Sequence, residues 1–183
     1  MTTVTLYRGD TDNNKDVVTA AEFTATNYNR GGVNKNPAQL YFLSNTLAYA
    51  SEYGSNISVW SFTGNVLDLS LEANRALLAP YFEELCRQND TTLIANCTYF
   101  MSIRKSKADQ RDLSAKIAAA KARLAAPLTS DAVRVLATQD VADNENGLVL
   151  KAALIELGYD GVCFSESNKG ATYCLINRPT LIN

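Results

Sequence analysis

The sequence predicts an α+β fold. Three observations carry the prediction: short runs near both ends that read as strands, a middle third with helical periodicity, and turn residues that punctuate them. The chain has 183 residues and 46% hydrophobic content, the size of one buried core, so a single domain over 1–183 is expected.

Val4-Thr5-Leu6-Tyr7 alternates as a half-buried strand does, and Arg8-Gly9 ends it. From 10 to 37, Asp, Asn, Gly and Thr dominate, with Gly31-Gly32 and Asn36-Pro37 as turn signals. A long irregular loop is expected there, with one short helix over 20–23; loops of that length in compact domains tend to carry function. Leu40-Tyr41-Phe42-Leu43 reads as a strand, and Ser44-Asn45 offers an N-cap to a helix over 46–53 that Gly54 closes. Residues 58–62 alternate again, and Asn65-Val66-Leu67-Asp68 reads as a turn into another strand.

A helix is expected over 71–88, split in two by Pro80 because proline lacks the backbone donor. The clearest helix is 109–124, with Leu113, Ile117, Ala120 and Leu124 on one stripe and Asp112 and Lys116 paired on another face. Residues 148–157 form a further helix, capped by the polar run 143–146, stopped by Gly158 and apolar enough to be largely buried. A hairpin ends the chain, with Val162-Cys163-Phe164 and Tyr173-Cys174-Leu175-Ile176 flanking the turn 167–170. It sets Glu166 at a strand end and Cys163 and Cys174 as neighbours across the hairpin, reduced in a cytosol.

Composition excludes several chemistries. The chain has no histidine and four cysteines without a CxxC pair, which disfavours zinc and Ser/His/Asp catalysis; no metal is expected. A net charge of −2 gives no general nucleic-acid footprint, although a local basic groove leaves a nucleic-acid target among the alternatives. The beginning MTTVTLYRGD lacks a secretory pattern and no apolar run is long enough for a membrane span, so a cytoplasmic location is expected and no membrane partner. Two basic clusters, Arg104-Lys105-Ser106-Lys107 and 111–123, suit partner recognition or simply a solvated helix face.

Three segments together resemble the ADP-ribosyltransferase superfamily: LYRG at 6–9, YFLSNTLAYASEYG at 41–54, and GYDGVCFSESNKGATYCLI from Gly158 onward. Ala50 and Tyr53 fill the Ala-x-x-Tyr pattern of its helix, and Asn65-Val66-Leu67-Asp68-Leu69 is similar to its Asn-x-Leu-Asp-Leu strand. The closest likeness in pattern is to small phage proteins of the anti-CRISPR type. The resemblance implies a split two-sheet core with an NAD cleft between the sheets, and the unmatched helices over 71–139 as an inserted layer.

NAD as substrate then assigns roles to residues. Tyr7, Arg8 and Gly9 would bind it, Arg8 by its fork of donors to phosphate or ribose and Gly9 by letting backbone approach closely. Tyr41, Phe42 or Tyr53 would stack on the nicotinamide, and Ser44 would support the site by hydrogen bonding. Glu166 is the catalytic candidate, stabilising an oxocarbenium-like ribose and orienting the acceptor. In the poly-ADP-ribose polymerase group the glutamate precedes the aromatic of the last strand, a place held here by Thr172; a short turn would put Glu166 opposite Thr172 or one step away. The arginine-modifying branch has Glu or Gln two residues before its glutamate, and Phe164 stands there instead. The implied activity is mono-ADP-ribosyl transfer to a macromolecular target, such as a host protein modified by a viral or bacterial effector. The alternatives are NAD hydrolysis with the same residues, or a non-catalytic inhibitor that keeps the fold.

Overall fold

The computed structural model describes residues 1–10, 29–30, 33–34, 38–104, 106–139, 141, 145–165 and 170–182. The elements in chain order are β1 (Thr2–Asp10), β2 (Asn29–Arg30), β3 (Val33–Asn34), β4 (Tyr41–Ser44), α1 (Leu47–Ser51), β5 (Asn56–Gly64), β6 (Val66–Asp68), α2 (Glu72–Ile103), α3 (Lys107–Leu124), α4 (Ser130–Thr138), α5 (Glu145–Leu157), β7 (Gly161–Ser165), β8 (Ala171–Leu175) and β9 (Thr180–Leu181). The fold is mixed α+β, as the sequence predicts. The expected short helix over 20–23 and the turn signal Gly31-Gly32 lie outside the described residues, while β2 and β3 pair antiparallel within the stretch read as an irregular loop.

Seven strands form one sheet in the order β6-β7-β8-β4-β1-β5-β9, with β6 parallel to β7. Only Asn65 separates β5 from β6, yet five other boundaries of the sheet lie between them. The sheet must therefore roll so that these two strands meet at the bend. Asp160 fixes the bend: its carboxylate accepts from the Asn65 amide at 2.8 Å, and its own amide donates to the Asn65 carbonyl at 2.8 Å. Gly158 supplies the left-handed turn after α5, with φ of 75°, that delivers Asp160 to this position.

Rolling gives the sheet two cores. On the concave face Leu6, Leu43, Trp60, Phe62 and Leu175 pack together, joined by the half-buried Tyr41 and Tyr173. On the convex face Leu40, Leu67, Val162, Phe164 and Cys174 meet Leu78, Phe82 and Leu85 of α2, Val133 and Ala137 of α4, and Leu150 and Leu154 of α5. Strand alternation assigns successive residues to opposite faces.

Four expectations need correction. First, α2 runs unbroken through Pro80. Pro80 is exposed, so water can satisfy the carbonyl it frees, while Leu78, Phe82 and Leu85 anchor the helix on either side. Second, α2 continues beyond 88 through Asn89-Asp90-Thr91-Thr92, residues that compete with the helical backbone. Asp90 is instead engaged by Arg123, which donates from Nε and Nη2 to its carboxylate. Third, the layer on the sheet comprises α2, α4 and α5, with α3 packed chiefly on α2. Fourth, α5 begins at Glu145, inside the polar run taken as its cap, and it is open on one side, where Leu148 is 47% and Ile155 61% exposed.

The Asp112–Lys116 pair forms on α3 at 2.8 Å. Among the described residues, no helix is long and apolar enough to cross a membrane.

Candidate functional site

β1 and β4 are joined by one register pair among the described residues, Tyr7 with Ser44. β4 continues its pairing with β8, through Tyr41–Leu175, Phe42–Cys174, Leu43–Tyr173 and Ser44–Thr172, while β1 pairs along its length with β5. Beyond the junction the two strands part, leaving Arg8 on one side and Tyr41 to Leu43 on the other.

Alternation sorts the expected NAD-binding residues onto both faces. Arg8 continues the concave row of Val4 and Leu6, and Tyr41 packs against the same concave core. Tyr7, Phe42 and Ser44 take the convex side, where Phe42 is committed to the core beneath the helices. Phe42 and Tyr41 therefore do not share one pocket. Tyr53 follows α1, is 55% exposed, and shares a hydrogen bond with the Tyr49 hydroxyl at 2.7 Å with the rings edge to face.

Gly9 has a different reason from the one the sequence suggests. A β-carbon there would collide with the Ala50 carbonyl, so glycine permits α1 to lie directly on β1. The helix start is also corrected. Thr46 is the N-cap, accepting from the Tyr49 amide at 3.4 Å, and Ser44 Oγ accepts from the Thr46 amide at 3.0 Å. Ser44 is thereby fixed in place, 5% exposed.

Asn45 ties this corner to the hairpin. Its amide donates to the Ala171 carbonyl at 3.0 Å, and its side-chain oxygen accepts from the Ala171 amide at 2.7 Å. Gly170, with φ of 114°, leaves no room for a side chain beside Asn45 and Thr46. Glu166 lies outside the described residues. Its chain neighbour Ser165 pairs with Ala171, the residue held by Asn45. Thr172 faces Phe164 on β7 and Ser44 on β4, so the residue opposite Thr172 is Phe164 and not Glu166 or its next neighbour.

The register also separates the two hairpin cysteines. Cys163 pairs with Tyr173 and Cys174 with Val162, which places the thiols on opposite faces of the sheet where no bridge can join them. Burial, with Asp68 nearby, pushes the Cys163 thiol up to about 11, and burial raises Cys174 as well. Neither is a thiolate nucleophile near neutral pH.

Ser58 escapes a reading of the sequence, and the structure gives Thr172, named there only for its place in the last strand, a neighbour. Ser58 pairs with Arg8 across β5 and β1, donates to the Arg8 carbonyl at 3.5 Å and accepts from the indole of Trp60 at 2.7 Å, so it helps fix the strand that carries Arg8. Thr172, 8% exposed beside Ser44, makes the floor of the corner a pair of hydroxyls. Alternation in 58–62 marks Ser58 as a strand residue, but only pairing reveals its neighbour Arg8. Among the described residues, no cluster of three or more His, Cys, Asp or Glu could hold a metal.

No family model, curated protein or solved structure matches this chain.

Proposed function

We propose that the chain binds NAD and transfers ADP-ribose to a macromolecular acceptor. One observation carries the reading: β7, β8, β4 and β1 are consecutive in the sheet, so three motif segments far apart in sequence are neighbours in space. That adjacency is what the resemblance to ADP-ribosyltransferases requires. The single Tyr7–Ser44 junction supports the finer reading of a split two-sheet core, with the cleft where β1 and β4 part.

In this reading Arg8 holds the diphosphate or ribose, with Tyr7 and Gly9 shaping its strand. Tyr41 on the concave side and Tyr53 at the exit of α1 are the aromatic candidates for the nicotinamide. Ser44 supports the corner from below. The bond from ribose C1′ to the nicotinamide nitrogen breaks and nicotinamide leaves with the bonding pair. The acceptor then attacks C1′ and gives its proton to the Glu166 carboxylate, whose negative charge stabilises the ribosyl cation. Water as acceptor gives NAD hydrolysis by the same route.

A non-catalytic inhibitor with this fold is the second reading. It is favoured by the buried pair Ser44 and Thr172, which offers hydroxyls where one branch of the family has its glutamate. Nicotinamide release from NAD, followed with and without a host lysate and labelled acceptor, separates the two readings. Transfer or hydrolysis that Glu166→Gln lowers by about 100-fold or more supports the enzyme; NAD binding without turnover supports the inhibitor.

A further inference from the structure

Three polar side chains stand in one row on the concave face, on strands that only the fold brings together. Cys163 on β7 pairs with Tyr173 on β8 to one side and with Asp68 on β6 to the other, and residues paired directly across strands share a face. The face is the concave one, because Leu67, Leu69, Val162 and Cys174, at the alternate positions, lie in the core beneath the helices. Tyr173 packs against the concave core, as Tyr41 does. None of the three enters the proposed transfer of ADP-ribose.

The row borders the concave aromatic candidate for the nicotinamide. Tyr41 pairs with Leu175 and Leu43 with Tyr173, so Tyr41 and Tyr173 are diagonal neighbours on adjoining strands. Both are half-buried, so part of each ring stays open to a ligand. The Tyr173 hydroxyl has no hydrogen-bond partner among the described residues. It can donate to an oxygen or accept from an amide.

Charge distinguishes the far end of the row. Asp68 is half-buried, with its Oδ1 accepting from the Ser70 amide at 2.8 Å. Its carboxylate reaches both neighbours: burial and then Asp68 push the Cys163 thiol up to about 11, and burial, Cys163 and Asp68 push the Tyr173 phenol up. No lysine or arginine among the described residues offsets Asp68 at either group. The row therefore presents a neutral phenol, a neutral thiol and one negative charge near neutral pH. A carboxamide on a pyridine ring seated at Tyr41 could accept from the phenol and donate toward the carboxylate, whereas a carboxylate on the same ring would meet a like charge. Resting on the NAD reading above, we propose that Tyr173, Cys163 and Asp68 select the dinucleotide whose pyridine carries a neutral carboxamide over the one whose pyridine carries a carboxylate.

Three ligands titrated calorimetrically into the full chain test it: NAD, its analogue with a carboxylate on the pyridine, and ADP-ribose, which lacks the ring. The wild type should bind NAD about tenfold or more tighter than the analogue. Asp68→Asn should narrow that gap by strengthening the analogue, and it keeps the turn, because an asparagine oxygen can still accept from the Ser70 amide. Tyr173→Phe should weaken NAD several-fold, while ADP-ribose binds both variants as it binds the wild type. Equal affinity of the wild type for the two dinucleotides, a gap that Asp68→Asn leaves intact, or NAD binding that Tyr173→Phe leaves unchanged would each overturn the proposal and leave NAD binding standing. A wild type that takes up neither dinucleotide nor ADP-ribose would remove the NAD reading, and the proposal with it.

Discussion

Gly9 and Ala50 meet backbone to backbone: the space a β-carbon on Gly9 would occupy is taken by the Ala50 carbonyl. The glycine of the Arg-Gly pair therefore seats α1 on β1. Gly9→Ala must push helix from strand, an overpacking cost of about 1–3 kcal/mol. An unfolding free energy from denaturant titration that falls by that amount is expected, and an unchanged one would separate Gly9 from the packing of α1.

Asp90 and Arg123 staple the two arms of the helical hairpin. Asp90 is 7% exposed, while the Arg123 side chain is 57% exposed, so solvent screens much of the pair's attraction. Removing the arginine nevertheless strands a nearly buried carboxylate. Arg123→Ala should lower the unfolding midpoint, and Asp90→Asn should recover part of that loss in the double variant by removing the stranded charge. Equilibrium unfolding of the two single variants and the double variant measures it; additive losses would argue that the pair does not couple.

Pro80 sits exposed inside α2, where proline forfeits a backbone hydrogen bond at a cost of about 3 kcal/mol relative to alanine. Pro80→Ala should raise the unfolding midpoint, less the small contact that the ring makes in the groove between α2 and α5. A lower midpoint would show that the ring's packing in the groove outweighs the lost bond.

Cys163 gives a pH dependence with a definite sign. Its thiol is raised from 9.0 to about 11 by burial, with Asp68 adding to the shift. The folded state therefore holds a proton that the unfolded chain releases first. The contribution is fully present below pH 9, and is lost as pH rises toward about 11. Thermal midpoints measured across that window should fall more steeply for the wild type than for Cys163→Ala; parallel curves would remove the thiol from the linkage. Cys174, raised in the same direction by burial, adds to the slope in both proteins.

The strands were legible wherever a local pattern sufficed. Val4 to Tyr7 alternates, and the hairpin residues carry both apolar runs and a turn. Gly158 marks the end of α5 because a left-handed residue there has a strong local signature. What failed was long-range. Nothing near Pro80 or Asp90 in sequence announces that Phe82 is buried or that Arg123 will engage the carboxylate, so α2 looked shorter and broken. The pairing of Thr172 with Phe164 was out of reach for the same reason, since one residue of hairpin register decides which side chain faces Ser44. Arg8, Tyr41 and Ser44 could be named as candidates from their segments, but their division between two faces needed the ladder.

The most direct test of the proposed function is calorimetric titration of NAD into the wild type and Arg8→Ala, because phosphate contacts are made in the ground state before any bond breaks. Saturable 1:1 binding by the wild type, weakened by about tenfold or more in Arg8→Ala while both unfold at similar denaturant concentrations, is the result expected. A folded wild-type protein that takes up no NAD would contradict the account.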